Sequence, residues 1–209
     1  SNTKADTALG SALRLLFDRE NGLVKLFDPP FFGSGRDPGY IRSYGPGFRE
    51  NGGQYTHAAV WFCRALFSVG RNREAYDILR LLNPVAHTMS VENVERYRKE
   101  PYVLAADVYT NRAHYGMGGW TWYTGSAGWY LRCVYENVLG ITRRGDRVFF
   151  SPPPDIFRLG FAFELLVENT SFSVTADFSP RSELFVDGVL ANFAVLDGKH
   201  HSVEIYMKK

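Results

Sequence analysis

Two stretches of this chain concentrate groups that bind anions and sugars. Residues 49–57 read Arg49-Glu50-Asn51-Gly52-Gly53-Gln54-Tyr55-Thr56-His57, and residues 118–129 run from Gly118-Gly119-Trp120 to Thr124-Gly125-Ser126 and Trp129. The first offers a guanidinium, a carboxylate, amides, hydroxyl and imidazole groups, with a glycine pair that would let a ligand approach the backbone. The second places the Thr124 hydroxyl and a glycine-relieved turn at the start of a helical pattern. Unpaired N–H groups and the positive end of the helix dipole meet there and favour a small anion. Trp120, Trp122 and Tyr123, just before it, could form an aromatic wall against a sugar ring. Imidazole (His57), guanidinium (Arg49) and helix N-terminus (Thr124, Gly125) are standard ways to hold a phosphate, whereas Glu50 and Asn51 suit sugar hydroxyls. Each stretch also has a plainer reading: residues 49–57 as a polar turn capping the next helix, and Thr124 as a cap among core aromatics. It is the pair of stretches that suggests one site handling phosphate and carbohydrate side by side.

Composition permits such a site without specifying it. The chain has 209 residues, enough for one sizeable core or a core plus a small satellite domain, and its apolar share of 45% with 22% charged is that of a globular protein. Aromatics reach 15%, with Tyr 12 and Trp 4, which suits sugar stacking as well as large cores. A net charge of +2, with scattered basic residues, argues against nucleic acid. Cys63 and Cys133 lie in apolar helical patterns and read as small hydrophobes, in keeping with a reducing, cytoplasmic compartment. His114 and the His200-His201 pair lack a companion at metal-ligand spacing, so no metal site is expected. No apolar run is long enough to span a membrane and no signal segment opens the chain, which starts Ser1-Asn2-Thr3 without an initiator Met and is expected to be part of something longer.

The elements that would position these groups follow from periodicity. Leu9, Leu13, Leu16 and Phe17 predict a helix over 5–18, stopped by Asn21-Gly22. Turn formers such as Asp28-Pro29-Pro30 and Asp37-Pro38-Gly39 predict a long irregular loop over 24–46 that delivers the chain to Arg49. Residues 58–69, apolar nearly all round, predict a helix buried on most sides. After Gly70, Asn72 is expected to cap a second helix over 73–82, and so short a link makes the two an antiparallel hairpin. Ser90 is expected to cap a short helix over 91–98, while 101–109 fits helix or strand. Thr124 to Gly140 has both a helix start and a helix stop. Beyond Arg143, short β-branched and aromatic runs separated by turns such as Asp187-Gly188 and Asp197-Gly198 predict an antiparallel β unit. Glu100 and Asp107 fit hydroxyl contacts or caps.

These motifs carry a resemblance. Residues 49–57, Leu82-Asn83-Pro84, Glu100-Pro101-Tyr102-Val103 and residues 118–129 resemble, in order and spacing, the C-terminal part of the inverting glycoside phosphorylases of the cellobiose phosphorylase family, glycoside hydrolase family 94. Within it, the phosphorylase-like C-terminal domain of cyclic β-1,2-glucan synthases is the most similar branch. The resemblance implies an α+β chain: the C-terminal part of an (α/α)6 barrel, built of helical hairpins, over 1–142, then a small antiparallel β-sandwich or jelly-roll-like element over 143–209. It implies phosphate binding by His57, Thr124 and Gly125 and substrate contacts by Arg49, Glu50, Asn51 and Trp122. The family's general acid, an aspartate, is expected upstream, so no catalytic acid is expected in this chain and the chain alone is expected to be inactive. Ala105 and Ala106 depart from disaccharide phosphorylases, which tend to carry a glutamine near there, and point to a different or longer glucan.

No cofactor is implied; inorganic phosphate is a co-substrate, attacking the anomeric carbon while the acid protonates the leaving oxygen. The implied partners are a β-glucan oligosaccharide, phosphate or glucose 1-phosphate, and the upstream part of the same polypeptide, with a homodimer left open and no nucleic acid or membrane contact. If the parent is an inner-membrane synthase, this part is expected on its cytoplasmic side. Two other functions stay open: a carbohydrate-binding or chain-length-control module of a glucan synthase, and a six-hairpin hydrolase. The hydrolase would need a second carboxylate to activate water and no anion site.

Overall fold

A computed structural model of the chain describes residues 3–33, 35, 37–122 and 124–208. The chain is α+β and forms two compact units, Ser1–Leu131 and Arg132–Lys209.

The first unit carries the helices α1 (Thr3–Leu15), α2 (Thr56–Ser68), α3 (Asn72–Leu81) and α4 (Val91–Tyr97), and the start of α5 (Ser126–Cys133). Its short strands pair antiparallel, β1 (Phe17–Asp18) with β2 (Leu23–Val24) and β3 (Gln54–Tyr55) with β4 (Asp107–Val108). On α2, Thr56, Ala59, Val60, Cys63, Leu66 and Phe67 recur at steps of three and four and are buried, the period of one helix face. Burial on most sides holds, with only Trp61, 53% exposed, and Ser68 open to solvent among residues 58–69. Gly70, at φ +80°, ends the helix with its N–H bonded to the Phe67 carbonyl, a left-handed stop that a Cβ would strain. Asn72, expected as the cap of α3, is its first helical residue. Arg71 holds the cap position, and its guanidinium donates to the Glu74 carboxylate at 2.5 and 2.7 Å. Ser90 caps α4 as expected, accepting the Asn93 N–H at 3.2 Å.

Two helix ends differ from the periodicity. α1 stops at Leu15 because Phe17–Asp18 leave the helix to pair with Val24 and Leu23, and the Asp18 carboxylate accepts both the N–H and the amide of Asn21 across the turn. α5 passes into a π-helical turn, Val134–Val138, before Gly140 closes the run at φ +69°. The 24–46 region is mainly irregular, with one short 3-10 helix at Gly39–Ser43.

The second unit is β. β5 (Ile141–Arg144) and β6 (Arg147–Phe150) form a hairpin extended by β11 (Ala194–Val195). β7 (Phe161–Val167), β8 (Thr170–Ser179), β9 (Glu183–Val186), β10 (Val189–Leu190) and β12 (His200–Lys208) form a second sheet in the order β10-β9-β12-β8-β7. The antiparallel expectation needs correction: β12 runs parallel to β8 from His200↔Ser171 to Lys208↔Ser179. The reason is connectivity, since the 180–199 segment, which contributes β11 to the other sheet, is long enough for the crossover that parallel strands require. Phe172, Val174 and Ala176 on β8 and Val203, Ile205 and Met207 on β12 alternate inward into one core with Val148, Phe150, Leu184 and Ala194.

His201 pins two loops of this unit. Its Nδ1 lies 2.7 Å from an Asp187 oxygen and its Nε2 2.9 Å from an Asp197 oxygen. Carboxylates only accept, so both contacts are hydrogen bonds when the ring is an imidazolium, the form this pair of aspartates favours. Asp187, then Asp197, raise the His201 pKa above its ordinary 6.5 against the opposing effect of burial, and His201 in turn lowers that of Asp197 to about 2. A raised folded pKa gives stability that is complete below 6.5 and is lost as pH rises through the folded value. The depressed aspartates give stability present above 3.8 and lost on acidification through about 2 in the case of Asp197. The thermal midpoint of the β unit should therefore fall by several degrees from about pH 6 to about pH 9. His201→Gln should flatten that slope, and an equal slope in this variant would refute the assignment.

Candidate functional site

A backbone ladder assembles the site. The 105–109 segment lies between the two chemistry-bearing stretches: Tyr55 is in register with Asp107, and the Thr56 N–H donates to the Ala106 carbonyl at 2.9 Å. On its other edge the Ala106 N–H donates to the Trp120 carbonyl at 2.7 Å and the Gly119 N–H to the Asp107 carbonyl at 2.8 Å. This short three-part ladder brings residues 49–57 and 118–125 together across a wide sequence gap.

Gly52, Gly53 and Gly119 are explained by packing rather than by ligand approach, whereas a Cβ on Gly125 or Gly128 would meet nothing closer than 3.8 Å. A Cβ on Gly52, at φ +83°, would lie 2.8 Å from Pro30, and one on Gly53 2.8 Å from the Arg49 carbonyl. A Cβ on Gly119 would sit 2.4 Å from both Asp107 carboxylate oxygens. At those three positions, what the sequence suggests as room for a ligand is occupied by the protein itself.

His57 stands on the first turn of α2, edge-on to Trp61 with ring centroids 5.0 Å apart, and its Nε2 is buried with no hydrogen-bond partner among the described residues. Its Cε1 and Nδ1 lie 3.8 Å from where a Cβ on Gly125 would be. Thr124 precedes that glycine, and its hydroxyl accepts the Ser126 N–H at 3.1 Å and bonds the Ser126 hydroxyl at 2.5 Å. Thr124 thus stands one residue before the expected cap position, which Gly125 holds, while its hydroxyl still bonds the first helical N–H and the Nδ1 edge of the imidazole faces this turn. His57, Thr124 and Gly125 are brought together.

Arg49 is held at φ +45° in the turn bridged by Phe48 and Asn51. Its guanidinium lies 4.2 Å over Trp120 and 5.7 Å from the Tyr44 ring centre, and Nη1 is 4.0 Å from Asp107 Oδ1. Glu50 has a buried oxygen without a hydrogen-bond partner among the described residues, and its carboxylate raises the pKa of the Tyr40 hydroxyl that hydrogen-bonds to it. Asn51, expected to contact sugar hydroxyls, commits its amide to the loop: Oδ1 accepts the Phe31 N–H at 2.8 Å, and Nδ2 donates to Phe31 and Tyr44 carbonyls at 3.1 and 2.8 Å. Trp122 is 70% exposed and its indole N–H donates to Glu100 at 3.1 Å. Tyr123 of the expected aromatic wall lies outside the described residues. Sequence reasoning underrated Asp107, whose side chain is fully buried and whose pKa is raised by that burial. It passed over Tyr40 and Tyr44, which carry no signal beyond their place in the irregular loop.

The profile of the glycosyl hydrolase 94 superfamily catalytic domain matches residues 1–140, the stretch that contains all of these groups. The chain belongs to the glycosyl hydrolase 94 superfamily.

This glycosyl hydrolase 94 chain is 43% identical over 196 residues to the cyclic β-(1,2)-glucan synthase NdvB of Rhizobium meliloti, covering 94% of the chain and 7% of that protein. It is 27% identical over 156 residues to a 1,2-β-oligoglucan phosphorylase of Listeria innocua, covering 67% of the chain and 14% of the relative. An N,N'-diacetylchitobiose phosphorylase of Vibrio furnissii is 23% identical over 154 residues, 73% of the chain and 18% of the relative. The chain thus spans between 7% and 18% of the length of these relatives. Among the described residues no helix is long and apolar enough to cross a membrane.

Proposed function

We propose that this chain supplies the phosphate-binding and sugar-contact side of an inverting glycoside phosphorylase site acting on β-linked glucans. The observation that carries the reading is the His57 ring against Gly125, its Nδ1 and Cε1 3.8 Å from where a Cβ would be, at a helix start whose first N–H bonds the Thr124 hydroxyl. Imidazole, hydroxyl and first-turn N–H groups form an anion cradle that packing has already fixed, which is how preorganised donors stabilise charge on a reacting group. Phosphate held there attacks the anomeric carbon in line with the departing oxygen. Already anionic, it needs no general base; a carboxylic acid from polypeptide outside these 209 residues protonates the leaving oxygen. Arg49, Glu50 and Trp122 contact the glucan, and Asn51 holds the loop that presents them.

In this reading the helical unit is the end of an (α/α)6 barrel. The β unit is a sandwich of jelly-roll kind whose parallel β8–β12 pair is a local variation. The glucan linkage is taken as β-1,2, in line with the names of the synthase and the oligoglucan phosphorylase among the relatives. The 43% identity to a synthase favours a second reading, a glucan-binding module that controls chain length without turnover.

The test is the complete parent protein incubated with a β-1,2-glucan, with and without inorganic phosphate. Phosphate-dependent release of glucose 1-phosphate is expected. Glucose release without phosphate would make it a hydrolase, and glucan binding without product would favour the module.

A further inference from the structure

The Asp107 carboxylate is buried at a cost that its visible hydrogen bonding does not offset. Its side chain is wholly inaccessible, Oδ1 accepts the Trp120 N–H at 3.2 Å, and Oδ2 has no hydrogen-bond partner among the described residues. A neutral asparagine would accept the same N–H without burying a charge, so the charge itself calls for an explanation. Around the carboxylate stand the charges of Arg49, Lys99 and Glu50 and the Tyr109 hydroxyl. Among the described residues Arg49 is the cation that forms an ion pair with it, Nη1 to Oδ1 at 4.0 Å.

Arg49 in turn needs something to hold it. Nε and Nη1 are buried without hydrogen-bond partners among the described residues, and the guanidinium is fixed by the face of Trp120 at 4.2 Å and by the nearby negative charge. A guanidinium over an indole face is attracted by the ring quadrupole, and in a partly desolvated setting a carboxylate at 4.0 Å adds directional pull. The backbone secures the carboxylate: Asp107 is in register with Tyr55, and the bare Cα of Gly119 lies against it where any side chain would clash.

The geometry points to Asp107 as the positioning residue of Arg49: it holds the guanidinium over Trp120, with the 18% of the side chain that stays exposed left to meet glucan hydroxyls, and so sets glucan affinity without touching glucan. This rests on the reading of Arg49 as a glucan contact.

The experiment is a double-mutant cycle in the complete parent protein, titrated calorimetrically with a β-1,2-glucooligosaccharide so that turnover is not required. Asp107→Asn keeps the acceptor for the Trp120 N–H and removes the charge. It is expected to weaken binding about tenfold, a coupling of the size contacting residues show, with the thermal midpoint little changed. Arg49→Gln should weaken binding at least as much, and the double variant should bind no more weakly than Arg49→Gln alone. Unchanged affinity in Asp107→Asn, or losses that multiply in the double variant, overturns the proposal while leaving the site reading intact. Failure of the unsubstituted parent to bind the glucan overturns the site reading and this inference with it. Should Asp107→Asn not fold, Asp107→Ser, which retains a hydroxyl acceptor, takes its place in the cycle with the same expected outcomes.

Discussion

In the complete parent protein, His57→Ala is expected to lower phosphate-dependent release of glucose 1-phosphate by roughly 100- to 1000-fold, the loss typical of removing one preorganised donor to a developing charge. The effect should fall on phosphate: its KM should rise, while glucan affinity measured without phosphate stays the same. The structure separates these readouts, because His57 faces Gly125 at the start of α5, whereas Arg49 lies over Trp120 beside Asp107. Folding should survive the change. His57 is half-buried on the first turn of α2, and alanine is an excellent residue there. A variant whose phosphate KM is unaltered while glucan affinity drops would remove His57 from the anion site.

Phe172→Ala should have the largest effect on stability, about 3–5 kcal/mol by the usual cost of emptying a buried aromatic position. Phe172 is fully buried near the start of β8, packs edge-on against Phe150 with centroids 5.9 Å apart, and stacks under His201 at 5.8 Å. Its removal takes contacts from both sheets of the β unit and from the imidazolium that ties the Asp187 and Asp197 loops. Against a domain stability of about 5–15 kcal/mol this is a large share. Thermal unfolding of the complete protein should show a separate, much earlier transition for the β unit. A single transition at the original temperature would mean that the core carries far less than its burial suggests.

Local chemistry was readable along the chain. Ser90 caps α4, Gly70 stops α2, and the apolar stripes of α2 and α3 fall at helical spacing. Each of these depends on a few neighbouring residues, so sequence order is enough to specify it. The same holds for the motifs at 49–57 and 118–129, whose residue types and order carried the family resemblance, with the profile match over 1–140 reached independently.

What required tertiary structure involves partners far apart in sequence. Asn51 looked like a sugar contact because an amide's bonding depends on what folds over it, and here the backbone of Phe31 and Tyr44 does. The glycines at 52, 53 and 119 looked like openings, but their missing Cβ atoms make room for Pro30, the Arg49 carbonyl and Asp107. The parallel β8–β12 pairing was hidden because alternation of apolar residues is the same for either strand direction. By itself the sequence determined local stops and caps such as Gly70 and Ser90 and the residue types of the two motifs. Only the fold decided that Asp107 lies against Arg49 and His57 against Gly125, since proximity across the chain is set by the 105–109 ladder and not by any local preference.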